Sequence, residues 1–290
     1  MPYLTTDDGV RLYYEEAGIG NAIVFVHEFA GDLRSYEPQL RHFSRRYRCV
    51  AYNARGYPPS DVPADLTRYS QDRARDDIKS VIEALGLERP HIVGVSMGAF
   101  ATLHFGLNYP DRARSLVVGG CGYGAEPAKR AQFQAEAEAA AQRFETLPIA
   151  QAAERYSQGP GRMQLRDKDP RGFAEFVRNL AEHSSLGSAL TLRGVQKMRP
   201  SLYEMTDRLS RLTVPTLVMV GDEDESCLEP AVMLKRTMLA AGLAILPRTG
   251  HALNLEEAVL FNVLCDDFFH QVESGRWPIR ETVPGTGKIL

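Results

Sequence analysis

Along this chain, short continuous apolar runs alternate with longer stretches in which apolar residues recur every three or four positions. The first kind reads as strands buried on both faces, the second as amphipathic helices. The apolar runs are Ala22–Val26, Arg48–Tyr52, His91–Val95, Ser115–Gly120, Pro215–Gly221 and Leu243–Leu246. Ahead of them, Tyr3–Thr6 and Arg11–Ala17 alternate polar and apolar around Asp7-Asp8-Gly9, which predicts a hairpin and an antiparallel edge. Helical patterning covers about Ser35–Arg46, a stretch from a Ser70 cap to Gly86, one from Met97 to a stop at Pro110, Pro230–Ala241 and Asn254–Val272. From about Glu126 to Leu212 no strand pattern occurs. Helical stretches at Pro127–Thr146, Phe173–Leu180 and Leu186–Met198 are punctuated there by Pro148, Gly159-Pro160-Gly161, Pro170 and Pro200. The tail from Glu273 to Leu290 holds the single tryptophan, Trp277, and its packing is not predicted.

Strands alternating with helices predict an α/β fold with a mostly parallel sheet of about eight strands and helices on both faces. The strand-free segment then forms a helical insertion after the sixth strand. This divides the chain into a core of 1–124 and 213–290 and an insertion of 125–212. At 290 residues and 44% hydrophobic, the chain can bury a large core. Its net charge of −3, from 34 basic and 37 acidic residues interspersed, offers no basic stripe for nucleic acid. Four cysteines lie far apart without C-x-x-C spacing, as thiols of a reducing compartment do. No apolar run reaches the ~18 residues of a membrane span and the N-terminus lacks a signal pattern, so a soluble cytoplasmic protein is expected.

The candidate chemistry starts at Gly94-Val95-Ser96-Met97-Gly98, between a predicted strand and a predicted helix. In that context G-x-S-x-G puts a serine hydroxyl on a sharp, strained turn above the sheet. The bare pattern arises by accident in roughly one chain in ten of this composition, so partners elsewhere must support it. A serine nucleophile needs a base. Of the seven histidines, His42, His91, His104, His183 and His270 read as surface or packing residues, and His27 as a loop-shaping one. His251 stands in a Gly-flanked loop between the last strand and the last helix, a further candidate for the base. An acid must orient it, and Asp222, Glu223, Asp224 and Glu225 are the candidates.

The ordered set His27-Glu28-Phe29-Ala30, Asn53-Ala54-Arg55-Gly56, Gly94-Val95-Ser96-Met97-Gly98, Gly221-Asp222-Glu223-Asp224 and Gly250-His251 resembles the α/β-hydrolase fold superfamily, over about Arg11 to Phe269. Members with a helical cap inserted after strand 6 are the most similar. The resemblance implies Ser96, Asp224 and His251 as the catalytic triad, with Asp222 the second choice of acid. It implies an oxyanion hole from the backbone N–H groups of Phe29 and Met97, whose side chains would line the acyl pocket. No metal or organic cofactor is implied. Arg55 and Asp61 match a stretch that is structural in such proteins. The proline usual a few residues after the acid is Leu228 here, with Pro230 beyond.

Glu28 departs most from the pattern, since relatives with a single His-Gly pair carry glycine there. Together with His27 it becomes a candidate substrate-pocket residue that repels anions and raises the pKa of His251. Alternatively it turns away into an ion pair with Arg55. The insertion is expected to act as a lid over Ser96, and its Phe133, Phe144, Tyr156, Met163, Phe173, Phe176 and Met198 either face substrate or fix the lid to the core.

The leading expectation is a serine hydrolase of a small ester, lactone or thioester, acting on a small molecule without nucleic acid or membrane partners; homo-oligomerisation stays open. A C–C hydrolase of vinylogous diketones or a cofactor-free perhydrolase is the alternative. Against the C–C reading, such enzymes carry a Gly-rich loop after the strand, which His27-Glu28-Phe29-Ala30 is not. A non-catalytic receptor or scaffold of this fold comes third, because such proteins often lose a triad member. The resemblance argues against epoxide hydrolase or dehalogenase chemistry, where the turn residue is an aspartate.

Overall fold

The computed structural model describes residues 2–281. Its strands are β1 (Tyr3–Thr5), β2 (Arg11–Ala17), β3 (Ala22–Val26), β4 (Arg48–Tyr52), β5 (His91–Val95), β6 (Ser115–Gly119), β7 (Thr216–Gly221) and β8 (Ala241–Leu246). They form one eight-stranded sheet in the order β1-β2-β4-β3-β5-β6-β7-β8. The β1–β2 and β2–β4 pairs are antiparallel and every other pair is parallel.

Alternation along each strand divides the core between the two faces. On β3, Val24 and Val26 point to one side, where α2 (Gln71–Ala84) contributes Ile78, Val81 and Ile82 and α3 (Met97–Asn108) contributes Phe100 and Leu103. Ile23 and Phe25 point to the other. There α1 (Glu37–Phe43) adds Leu40 and Phe43, and the C-terminal helix Ala258–Glu273 adds Phe261, Phe268 and Phe269. With both faces covered, the central parallel strands are fully buried, as the unbroken apolar runs require.

Between β6 and β7 the described chain has helices and loops but no strand: α4 (Arg130–Thr146), α5 (Ile149–Ser157), α6 (Met163–Lys168), α7 (Pro170–Leu180), α8 (Ser185–Leu190) and α9 (Thr206–Ser210). The predicted helix Leu186–Met198 is in fact α8 running into a wider, π-type turn at Thr191–Lys197. Phe144, Phe176 and Leu180 of this segment pack with Phe29, Tyr57 and Met97 over the C-terminal edge of the sheet. Leu202, Met205, Leu209 and Leu212 instead join the core on the α2–α3 face.

Two helix boundaries differ from expectation. The helix read as Pro230–Ala241 is α10, Glu225–Thr237. Pro230 lies inside it, where the ring is buried against Gly122 rather than opening the helix. The final helix is broken into α11 (Leu253–Glu256) and α12 (Ala258–Glu273) at Glu257, whose φ of −129° and ψ of 51° are not helical. The start of the tail is packed: Trp277 stacks edge-on against Phe268 and donates to Ala240 O at 2.8 Å. The rest of the tail, 282–290, lies outside the described residues. Among the described residues no helix is long and apolar enough to cross a membrane.

Candidate active site

Ser96 joins β5 to α3 at φ 55° and ψ −116°, a conformation that side-chain-bearing residues rarely adopt. The turn closes because its glycines lack Cβ atoms. A Cβ on Gly98 would lie 2.0 Å from Val26 O, and one on Gly94 2.3 Å from Gly98 O. The Ser96 N–H donates to Gly119 O at 2.8 Å, fixing the turn to β6.

His251 stands in the loop between β8 and α11. Its Nε2 accepts from Ser96 Oγ at 2.7 Å. Its Nδ1 donates to Asp224 Oδ2 at 2.6 Å, the only tautomer a carboxylate acceptor permits. Asp222 turns instead to the Thr249 N–H at 3.1 Å, and so ties the acid loop to the histidine loop. The backbone around His251 is held on both sides. Glu256 accepts from the Gly250 N–H at 2.6 Å and the Ala252 N–H at 3.0 Å, while the His251 N–H donates to Gly161 O at 3.1 Å. Neither Glu256 nor Gly161 was singled out from the sequence. Only the fold buries Glu256 against the Gly250–Ala252 turn, so no signal in the sequence marks it.

Burial alone would raise the Asp224 carboxyl, but the charge of His251 and the hydrogen bond to it reverse this and leave it lowered from 3.8. Burial likewise disfavours the His251 imidazolium. The Asp224 charge and hydrogen bond outweigh that and raise it above 6.5. Cys227 also approaches, with Sγ 3.9 Å from His251 Nδ1. Asp224, Cys227 and His251 converge within 4.8 Å, close enough to invite a metal. Yet Nδ1 and Oδ2 already satisfy each other, and burial keeps the Cys227 thiol well above its usual range, so this donor set fits proton handling rather than metal ligation.

Phe29 and Met97 are buried, and among the described residues neither backbone N–H donates to a carbonyl. The first N–H groups of a helix such as α3 have no partner inside it. Their side chains pack rather than face the reaction. Phe29 meets Phe144 and Tyr156 edge-on or tilted, and Met97 lines a separate void of about 30 Å³ with His27 and Tyr57.

A cavity of about 510 Å³ opens over Ser96 and His251, lined by Phe100, Tyr156, Leu192 and Arg199 among others. His27 and Glu28, expected at the substrate pocket, do not line it. His27 shapes its loop. Its Nδ1 donates to Glu28 O at 2.7 Å and its Nε2 accepts from the Ala54 N–H at 3.0 Å. Glu28 forms an ion pair, but not with Arg55, which is taken by Asp77 and Asp8. Its partner is Arg162, at 2.9 Å from Nη1 to Oε1 with a second contact through Nη2. Both residues are 3% exposed. Glu28 raises the His251 pKa as anticipated, but Arg162 opposes it and is the larger influence of the two. Asp61 pairs with Arg11 at 2.9 Å, a structural contact. Of the insertion residues, Phe133 and Tyr156 line the cavity, Phe144, Phe173 and Phe176 fix the insertion to the core, and Met198 is 67% exposed.

The profile of the alpha/beta hydrolase fold family matches residues 21–232, and the chain belongs to that family. The 2-hydroxy-6-oxononadienedioate/2-hydroxy-6-oxononatrienedioate hydrolase of Comamonas testosteroni is 28% identical over 89% of this chain and 91% of that protein. Epoxide hydrolase 3 of Mus musculus is 38% identical, over only 38% of this chain and 30% of that protein. Among solved structures, the enol-lactonase of Burkholderia xenovorans LB400 superposes with a TM-score of 0.79 at 20% identity, covering 93% of this chain and all of the other, a likeness of fold.

Proposed function

We propose that this hydrolase cleaves a small carboxylic ester, lactone or thioester through an acyl-enzyme on Ser96. The observation that carries the reading is the hydrogen-bonded chain Asp224–His251–Ser96, at 2.6 and 2.7 Å, opening on the 510 Å³ cavity. As Ser96 Oγ attacks the carbonyl carbon, its proton passes to His251 Nε2. The oxyanion that forms is met by the N–H groups of Met97 and Phe29. When the intermediate collapses, His251 returns the proton to the leaving oxygen or sulfur. Water then repeats the sequence, giving a proton to His251 and its oxygen to the acyl carbon, and Ser96 is regenerated. The helices between β6 and β7 serve as a lid that excludes water and shapes the acyl pocket.

A hydroxyl at position 96 disfavours the alkyl-enzyme chemistry of epoxide opening, which needs a carboxylate nucleophile there. The Comamonas relative, matched nearly end to end, favours C–C bond hydrolysis as the second reading, run by the same three residues. Turnover of 4-nitrophenyl esters of rising chain length tests the proposal. Hydrolysis by the wild type that is lost in Ser96→Ala is expected. Turnover unaffected by that substitution would contradict it.

A further inference from the structure

Three arginines are almost fully buried: Arg55 and Arg162 at 3% exposure and Arg199 at 2%. Arg55 meets Asp77 and Asp8, and Arg162 meets Glu28. Among the described residues Arg199 has no carboxylate partner. Its Nη1 donates to Gln196 Oε1 at 3.1 Å and its Nη2 to Tyr123 O, while its Nε has no acceptor. A buried charge without a counter-ion is costly, and burial pushes its pKa down to about 10. Arg130 acts on it as a like charge and deepens the positive field, and Arg143, Arg155 and Arg162 line the same cavity. Arg130 donates only to the carbonyl oxygens of Gly124, Lys197 and Arg199 and shares the face of Phe133.

Arg199 lines the cavity that contains Ser96 and His251. Its guanidinium lies 3.8 Å from the ring centroid of Phe100 and 4.9 Å from that of Phe133, clamped between α3, which follows Ser96, and α4 of the insertion. Stacking of this kind holds the planar fork in one orientation, with one protein acceptor on each Nη and none on Nε, so part of its donor capacity stays unused. The acids on the same cavity wall are otherwise engaged or peripheral. Asp224 is bonded to His251, Glu136 to Tyr123 and Gln132, and Glu223 to Gln164, while Glu225 is exposed.

We propose that Arg199 is an anion-recognition residue of this cavity, and that the substrate is an ester, lactone or thioester bearing a carboxylate apart from its scissile carbonyl. The inference rests on the hydrolase reading given above. Phe100 is one helical turn after Ser96, about 6 Å of backbone rise along α3, and both residues border the cavity that Arg199 lines. Monoesters of short diacids carry a carboxylate apart from the scissile carbonyl and are the probes this placement calls for.

The experiment compares two esters with one leaving group, mono-4-nitrophenyl glutarate and 4-nitrophenyl pentanoate. Wild type is expected to favour the anionic ester in kcat/KM by about 10²-fold, the effect of a charge-assisted pair. Arg199→Met should collapse that ratio, and Arg199→Lys should restore part of it. A residue that merely bridges insertion and core would lower both rates together and leave the ratio standing. Should Arg199→Met fail to fold, wild type decides: glutarate is expected to compete with the pentanoate ester and glutaramide is not. A wild type without anionic preference, an unchanged ratio in Arg199→Met, or equal inhibition by glutarate and glutaramide would overturn the proposal. Labelling of Ser96 by a fluorophosphonate, read in parallel, separates the outcomes. With labelling present, only the anion site fails; with labelling absent, the hydrolase reading itself fails.

Discussion

Breaking the Glu28–Arg162 pair is the sharpest perturbation of the site short of its reacting groups. The pair joins the loop after β3, which carries the Phe29 amide, to the residue following Gly161, whose carbonyl holds the His251 N–H. Both partners are 3% exposed, and Arg162 lies 4.9 Å from the ring centroid of Phe176. Removing one partner strands a buried charge, which costs about 3–5 kcal/mol, whereas replacing both with apolar groups of similar size is close to neutral. Glu28→Met and Arg162→Met should therefore each lower stability by about 3–5 kcal/mol, or roughly 10 °C in Tm for a chain of this size. Glu28→Met combined with Arg162→Met should recover most of that loss, a coupling well above the ~0.5 kcal/mol of independent sites. Equilibrium urea unfolding followed by circular dichroism reads all four proteins. The pH–rate profile adds an independent sign. Arg162 lowers and Glu28 raises the His251 pKa, so Glu28→Gln should move the acid limb of kcat/KM to lower pH. Additive stability losses, or an acid limb that moves up, would refute the reasoning.

Asp224→Asn should reduce kcat by about 10⁴-fold by favouring the wrong histidine tautomer, while Asp222→Asn, which alters only the acceptor for Thr249, should cost far less; steady-state kinetics separate them. Because burial and Asp224 act on His251 with a net upward shift, kcat/KM should rise with pH through a midpoint above 6.5 as the imidazolium loses its proton. Glu256→Gln keeps one acceptor for the two N–H groups flanking His251 and should lower kcat about tenfold with little change in KM. His104 is buried with its pKa lowered to about 4, so the unfolded chain binds the extra proton between about 4 and 6.5, and stability falls as pH drops through that window. In His104→Leu the slope of unfolding free energy on pH should shrink there by about one proton, read by urea titrations at several pH values.

Much of this arrangement was legible in the residues. The strands read correctly because a parallel sheet covered on both faces demands unbroken apolar runs, as at Ala22–Val26 and His91–Val95. The Ser96 turn read correctly because only glycine fits beside Val26 O and Gly98 O. What stayed hidden depends on contacts between distant segments. Nothing near Glu28 distinguishes Arg162, 134 residues away, from Arg55 as its partner. The start of α10 was misplaced because a proline usually opens a helix, whereas here burial against Gly122 keeps Pro230 inside one. Arg199 sits between Met198 and Pro200 with no periodicity to mark it, and its isolation from carboxylates exists only in the folded chain.

The central claim is that Ser96 is an activated nucleophile. Incubation with a fluorophosphonate, followed by intact-mass measurement, tests it most directly. One adduct on the wild type and none on Ser96→Ala is the predicted result. An unmodified wild type, or an adduct that survives in Ser96→Ala, would contradict it.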